Sequence, residues 1–437
     1  MPTWREELVA VFWRGVETVR PEDCVERALH VEREEVFWEE PGGICTQLPL
    51  PILVLGAGKA AARMALGLSK ILPPCQYRGA IVTSERHTAD VPGVEVLVGS
   101  HPLPDHRSLS AAKHLLRLAR SSREPVAIFL VSGGASSLLA APWPPVTLEE
   151  KIATHRLLLT SGANIGEVNT VRKHLSRIKG GRLLQQLQRP VFTLAISDVV
   201  GDDPATIGSG PTVPDPNTFA DAQRVLAKYE LWETVPRSVR TVIEDGLAGR
   251  IPETLKPWES ASRLAHYRII ASNRETRSAC AAAARSKGWF VEVIEEPIVG
   301  EAREAARRFA TRVQMAAACA NSGPLCVIAG GETTVTVRGR GLGGRNQEFA
   351  LALAPLLAGL PVSALIAGTD GVDGPTEAAG AFVDGTTLER AHALGLNVEH
   401  YLEANDSYHF FAALGDLFIT GPTGTNVMDL QIAVVHG

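Results

Sequence analysis

Residues 51–68 read PILVLGAGKAAARMALGL. A short apolar run turns through two glycines and a lysine into an alanine-rich segment of helical character. A strand that meets a helix at such a turn directs backbone N–H groups and the positive helix end toward an anion. The pattern recurs. GAIVTS (79–84) and VEVLVGSHPLPD (94–105) read as further strands, and SLSAAKHLLRLARS (108–121) as an amphipathic helix with Ser108 or Ser110 as N-cap. PVAIFLVSGGASSLL (125–139) repeats strand, glycine turn and helix, and PVFTLAISDVVGDDP (190–204) is a strand ending in polar residues. Such alternation predicts α/β layers with a largely parallel sheet.

The flanks extend this frame. Residues 4–38 read as helix, with Leu8, Val9, Phe12, Trp13, Val16 and Val19 at helical spacing and Pro21 restarting the chain. Residues 211–262, rich in proline and polar groups, read as a seam between domains. A second α/β unit follows, with strands at YRIIASN (267–273), FVEVIEEPIVG (290–300), LCVIAGGETTVTVRG (325–339), VSALIAGTDGVDG (362–374) and DLQIAVV (429–435). Four strands end in glycine-rich turns, near residues 56, 133, 330 and 368. Ligands of open α/β sheets gather at the carboxyl ends of strands, so two such rims are expected to face one cleft.

With 437 residues, two domains are expected. A net charge of −5 offers no basic field for nucleic acid or a membrane surface. The charged start MPTWREELVA has no apolar signal core, and no apolar run approaches the roughly 20 residues of a spanning helix. The protein is therefore read as cytoplasmic. Its six cysteines are scattered without metal-ligand spacing and read as buried thiols.

Several motifs carry chemistry. GAGKAA, with Gly56, Gly58 and Lys59, fits a relaxed dinucleotide fingerprint, yet Glu85 lies 29 residues beyond Gly56, where the ribose-binding acid belongs about 20 on. Only nine of the 43 basic residues are lysines, so an arginine-rich chain keeps a compact ammonium at this turn. Ser132, Gly133, Gly134, Ser136 and Ser137 offer an anion nest for a carboxylate or phosphate. Arg172, Lys173, Arg177, Lys179 and Arg182 crowd one stretch, either a solvated face or a substrate grip. Asp198 ends a strand, where it can hold Mg²⁺, accept a hydroxyl proton or form a turn. Glu332 follows a glycine pair. Gly339, Gly341, Gly343 and Gly344 surround Arg340 and Arg345, suggesting a close ligand or a mobile lid, and Arg345 can grip an anion bidentately. Asp370 and Asp373 suit a metal or a turn. His101, His106 and His114 read as surface or packing residues.

Together LGAGKAA, VSGGASSLL, NTVRKHLSRIKGGRL, SDVVGDDPATIGSGPT, GGETTVTVRGRGLGGRNQE, AGTDGVDGPTEAAGA and TGPTGTNVMDL resemble the class II glycerate 2-kinase family, whose C-terminal region is the MOFRL domain. They run in family order from residue 55 to 430. The resemblance implies a Rossmann-like three-layer domain over 1–245, with a helical lead-in at 1–45, and a smaller mixed-sheet domain over 246–437. It implies transfer of the ATP γ-phosphoryl group to the 2-hydroxyl of D-glycerate with Mg²⁺, by a monomer or homodimer. The family's catalytic lysine and arginine fall on Lys59 and Arg345, with Asp198 orienting the hydroxyl or holding metal. Gly56, Gly58, residues 132–134, Ser136, Ser137, Glu332, Gly343 and Gly344 are expected at the nucleotide, Arg172 and Asn346 at the substrate, and Asp198 and Asp370 at the metal. The alternative reading is an NAD(P)-dependent hydroxypyruvate reductase, opposed by the misplaced acid and the missing His–carboxylate pair.

Overall fold

A computed structural model of the chain describes residues 3–39, 43, 45–319 and 323–437. It falls into two compact units, Pro21–Ile270 and the combination of Met1–Arg20 with Ala271–Gly437.

The first unit is built on a six-stranded sheet in the order Val94–Gly99, Tyr77–Ser84, Ile52–Ala57, Val126–Val131, Val191–Ile196, Ala265–Ala271. Ile52–Ala57 pairs in parallel with both neighbours, and all six of its residues are buried. Burial of successive side chains means that both faces are covered, the condition for a continuous apolar run in a parallel strand. Helix His106–Ser121 supplies Ala112, Leu115 and Leu116 to the core on one face. Its N-cap is Asp105, whose carboxylate accepts from the Arg107 and Ser108 amides, rather than either serine expected from the sequence. Strand order reverses at Ile52–Ala57, so the GAGK and SGGASS turns leave adjacent strands at the topological switch point.

The second unit carries a seven-stranded mixed sheet. Leu325–Thr334 and Val362–Gly368 are both antiparallel to Asp429–Val435, which lies between them. Register opposes Asp429 to Gly331 on one side and Gly368 on the other. The carboxyl ends of two strands and the start of a third therefore share one rim.

Other expectations change as well. Residues 29–39 are not helical: Leu29–Glu32 and Glu35–Glu39 form an antiparallel hairpin joined by Cys45–Leu48. Leu29, Val36 and Trp38 are buried there, a period of two that the surrounding glutamates conceal. Helix Trp4–Thr18 belongs to the C-terminal unit rather than to a domain over 1–245. Its Leu8, Val11, Phe12 and Val16 join Ile328, Leu365, Leu430 and Ile432 in one core. Gly15 permits the close crossing, because a Cβ there would collide with Cys280 of helix Asn273–Ser286. Residues 211–262 are no seam. Helices Phe219–Lys228 and Arg237–Leu247 share a core with Leu158, Val168 and Val171. The strand read at 267–273 is Ala265–Ala271 and edges the first sheet, which moves the boundary from 245 to 270. Cys24, Cys280 and Cys326 are buried thiols, whereas Cys45 and Cys75 are exposed.

Candidate active site

The two turns at the switch point are laced together. Lys59 N–H donates to the Gly133 carbonyl (2.9 Å), Ser132 N–H to the Ala57 carbonyl (3.1 Å), and Ala60 N–H to Ser132 Oγ (2.9 Å). Gly58 takes φ +141°, and a Cβ on it would strike Ser132. The Gly58, Lys59 and Ala60 amides of the GAGK turn are thus engaged within the protein, as Gly58 N–H also donates to the Val82 carbonyl (3.0 Å). What the turn presents is the lysine side chain.

Around it gather two further groups. Asp198, half-buried two residues beyond Val191–Ile196, lies against Gly133, where any Cβ would overlap its carboxylate. His101 lies against Gly134, which also faces the Lys59 stem. Desolvation, with Lys59 and His87 nearby, lowers the His101 pKa to about 4. It is therefore neutral at pH 7 and adds no charge to the lysine's surroundings. His101 is exposed, in line with its reading as a surface or packing residue, and the loop after the third strand sets it beside the lysine's turn. The hydroxyls of the proposed nest are also engaged: Ser136 Oγ with Ser209 Oγ (2.7 Å) and Ser137 Oγ with the Pro102 carbonyl (2.6 Å).

On the second unit, Arg345 opens helix Arg345–Leu357. Its guanidinium grips fully buried Asp429 bidentately, at 2.6 and 2.9 Å, and meets Glu332 at 3.1 Å. Burial alone would lower its pKa, but Asp429 and Glu332 outweigh that and raise it. Asn346 Nδ2 donates to Asp373 (3.2 Å) and Asp429 (3.0 Å). Its amide thus positions the partner of Arg345, where a substrate contact was expected. Asp373 accepts from the Asn346 and Gln347 backbone amides and caps the helix. Burial pushes its pKa up to about 6 against the pull of those amides, leaving it an anion at neutral pH. Asp370 accepts the Val372 amide in a turn (3.1 Å).

The glycine-rich segment is pinned. Arg338 and Gly339 amides donate to Asn405 Oδ1, and the Leu342 amide to Asp406 Oδ1. None of Gly339, Gly341, Gly343 and Gly344 has positive φ. A Cβ at these positions would run into Ala404, Asp406, Ser407 and Asp373 respectively. These glycines permit close packing, which corrects the expectation of a mobile lid.

Residues 7–244 match the family model described as a domain of unknown function (DUF4147), and residues 325–429 match the MOFRL family. The chain is 42% identical to a glycerate 2-kinase of Pyrococcus horikoshii over 99% of its own length and 97% of the relative's. The chain belongs to the class II glycerate 2-kinase family. A crystal structure of another glycerate kinase, from Thermotoga maritima, matches with a TM-score of 0.86 at 35% identity, over 98% of this chain and 99% of that one. A relative in Agrobacterium vitis, 40% identical over 91% of this chain and 88% of its own, is named a putative hydroxypyruvate reductase. Lys59 and Asp198 share a rim of the first sheet, and Arg345 stands at a rim of the second. Arg172, on helix Ile165–His174 of the first unit, donates to Asn169 Oδ1 (3.1 Å) and contacts His155.

Proposed function

We propose that the protein transfers the γ-phosphoryl group of ATP to the 2-hydroxyl of D-glycerate, giving 2-phosphoglycerate and ADP. The supporting observation is the convergence of a lysine and a carboxylate, Lys59 and Asp198, on one glycine turn at the switch point of the first sheet. Phosphoryl transfer depends on positioning and charge neutralisation more than on covalent chemistry. Lys59 and Arg345 are the proposed catalytic cations. Arg345 is held by Asp429 through Nε and Nη2 and by Glu332 through Nη1, so an anion reaches the guanidinium at the Nη1 edge by displacing or joining Glu332.

Asp198 orients the attacking hydroxyl and takes its proton, or shares in holding the metal. Among the described residues no group of three His, Cys, Asp or Glu forms a metal cage. That donor set fits Mg²⁺ arriving with the nucleotide, because Mg²⁺ keeps most of its ligands as water and phosphate and needs one or two carboxylates. Asp198 is the residue of this rim that would hold it, and the ion would then neutralise phosphate oxygens. Among the described residues no helix is long and apolar enough to cross a membrane. The reading places the enzyme in the cytoplasm, as monomer or homodimer.

Thermal protection separates this reading from the reductase. A ligand that binds only the native state stabilises it, by about 2.7 kcal/mol at 100 times its Kd. Mg-nucleotide is expected to raise the melting temperature and NADH to leave it unchanged. Protection by NADH with none from nucleotide favours the reductase.

A further inference from the structure

The basic stretch from Arg172 to Arg182 is divided by its partners. On one side the charges are neutralised: Lys173 pairs with buried Asp215 at 3.3 Å, and His174 and Lys256 each reach Glu253 at 3.2 Å. Glu253 and Asp215 also favour the charge on Arg182. On the other side Arg172 and Lys179 meet Lys151 and His155, which lie four residues apart on helix Leu148–Thr160 and so share one face. Among the described residues, no carboxylate pairs with any of these four, and the charges acting on Lys151, His155 and Lys179 are all positive.

Only neutral groups hold these cations. Arg172 donates to Asn169 Oδ1 at 3.1 Å and contacts His155 Nε2 at 2.9 Å. Lys179, fully buried, donates to the Ser136 and Gly208 carbonyls at 3.0 and 3.4 Å. Lys151 Nζ has no hydrogen-bond partner among the described residues. Desolvation and Arg172 lower its pKa to about 8, while desolvation lowers that of Arg172 to about 10. Like charges gathered without a counterion destabilise a fold. They persist where a ligand supplies the missing charge.

The cluster adjoins the catalytic rim. Asn169 Oδ1, which receives Arg172, also accepts from Ser209 Oγ (3.3 Å). Ser209 Oγ meets Ser136 Oγ (2.7 Å), in the turn that Lys59 and Asp198 face. We propose that Lys151, His155 and Arg172, backed by Lys179, form the oxyanion subsite that takes the carboxylate of a small 2-hydroxy acid. This rests on the phosphotransfer reading for the identity of the acid. A carboxylate suits the cluster better than nucleotide phosphate does. Phosphate is accompanied by Mg²⁺, whereas the acid brings no counterion of its own. The carboxylate carbon is also bonded to the carbon that bears the reacting hydroxyl, so its subsite must adjoin the transfer site. Arg172 and Lys151, each partly exposed, touch the ligand; Lys179 is a positioning residue acting through the Ser136 carbonyl.

The test is Lys151→Met, which keeps the aliphatic stem and removes the charge, with His155→Gln as a second, neutral variant. For Lys151→Met the melting temperature of the free protein is expected to hold or rise, because an uncompensated cation is gone. A merely structural lysine would lower it. The KM for D-glycerate should rise about 10- to 100-fold, the scale of a lost charge-assisted contact, with the KM for ATP unchanged. Thermal protection by D-glycerate alone should be present in the wild type and lost in the variant, and glycerol, which has no carboxylate, should protect neither. His155→Gln should show the same selective rise in the KM for D-glycerate to a smaller degree. An unchanged KM for D-glycerate in an active Lys151→Met enzyme overturns the proposal, as does an equal rise in the KM for ATP. If the wild type transfers no phosphoryl group, the phosphotransfer reading fails separately. Protection by D-glycerate or D-lactate that Lys151→Met abolishes would still uphold the subsite, and no protection of the wild type by either would overturn it.

Discussion

Replacing Lys59 by alanine is expected to lower kcat about 10²- to 10³-fold while the KM for D-glycerate barely moves. Removing one transition-state charge contact has an effect of this size, and a group that binds ground and transition states equally would change KM instead. The fold does not depend on the ammonium. Among the described residues Lys59 forms no ion pair, and its structural hydrogen bonds are those of its backbone, the N–H to the Gly133 carbonyl and the carbonyl from Thr83 Oγ1, which alanine keeps. The melting temperature should therefore stay close to that of the wild type. Steady-state kinetics beside a thermal melt decide the matter: near-normal turnover in Lys59→Ala would leave the lysine as an ordinary turn residue.

Arg345 is expected to behave differently, and here the structure reverses what its loop-like sequence suggests. An arginine in a glycine-rich segment is read as dispensable for stability. In the structure it is the counterion of buried Asp429, with Glu332 also in contact. Arg345→Ala leaves Asp429 buried without its cation, a change that costs about 3–5 kcal/mol. Arg345→Lys keeps the charge but loses the fork, so it should melt between wild type and Arg345→Ala. Both variants should lose about 10²-fold or more in kcat if the guanidinium stabilises the transferring group. Native hydrogen exchange supplies the companion result. The Arg338, Gly339 and Leu342 amides, bonded to Asn405 and Asp406 side chains, should exchange slowly in the free protein. Fast exchange there, with wild-type stability in Arg345→Lys, would restore the mobile lid.

Much of this architecture is written locally. The glycine turns near 56, 133 and 368 end strands because an apolar run and the residues that break it are adjacent in the chain, whereas Gly330 and Gly331, read as a strand end, lie inside Leu325–Thr334. The meeting of Lys59 with Asp198 follows from parallel strands placing their carboxyl ends side by side. What escaped the sequence depends on distant partners. Gly15 looks like a flaw in a helix until Cys280 stands opposite it. Gly339 through Gly344 look flexible because the residues they pack against lie at 404–407 and at Asp373. Arg345 looks free because Asp429 is 84 residues away. The division of the basic stretch depends on Asp215 and Glu253, which no spacing within 172–182 reveals. Lys151 stands in no recognisable motif; only its neighbours distinguish it.

The central claim is the reaction itself. The direct measurement is phosphorus NMR of purified protein incubated with ATP, Mg²⁺ and D-glycerate, beside a control lacking glycerate. The account predicts that ADP and 2-phosphoglycerate appear in equal amounts, and only when D-glycerate is present. A product phosphorylated at the 3-position, or no transfer from ATP in a preparation that oxidises NADH with hydroxypyruvate, would contradict it.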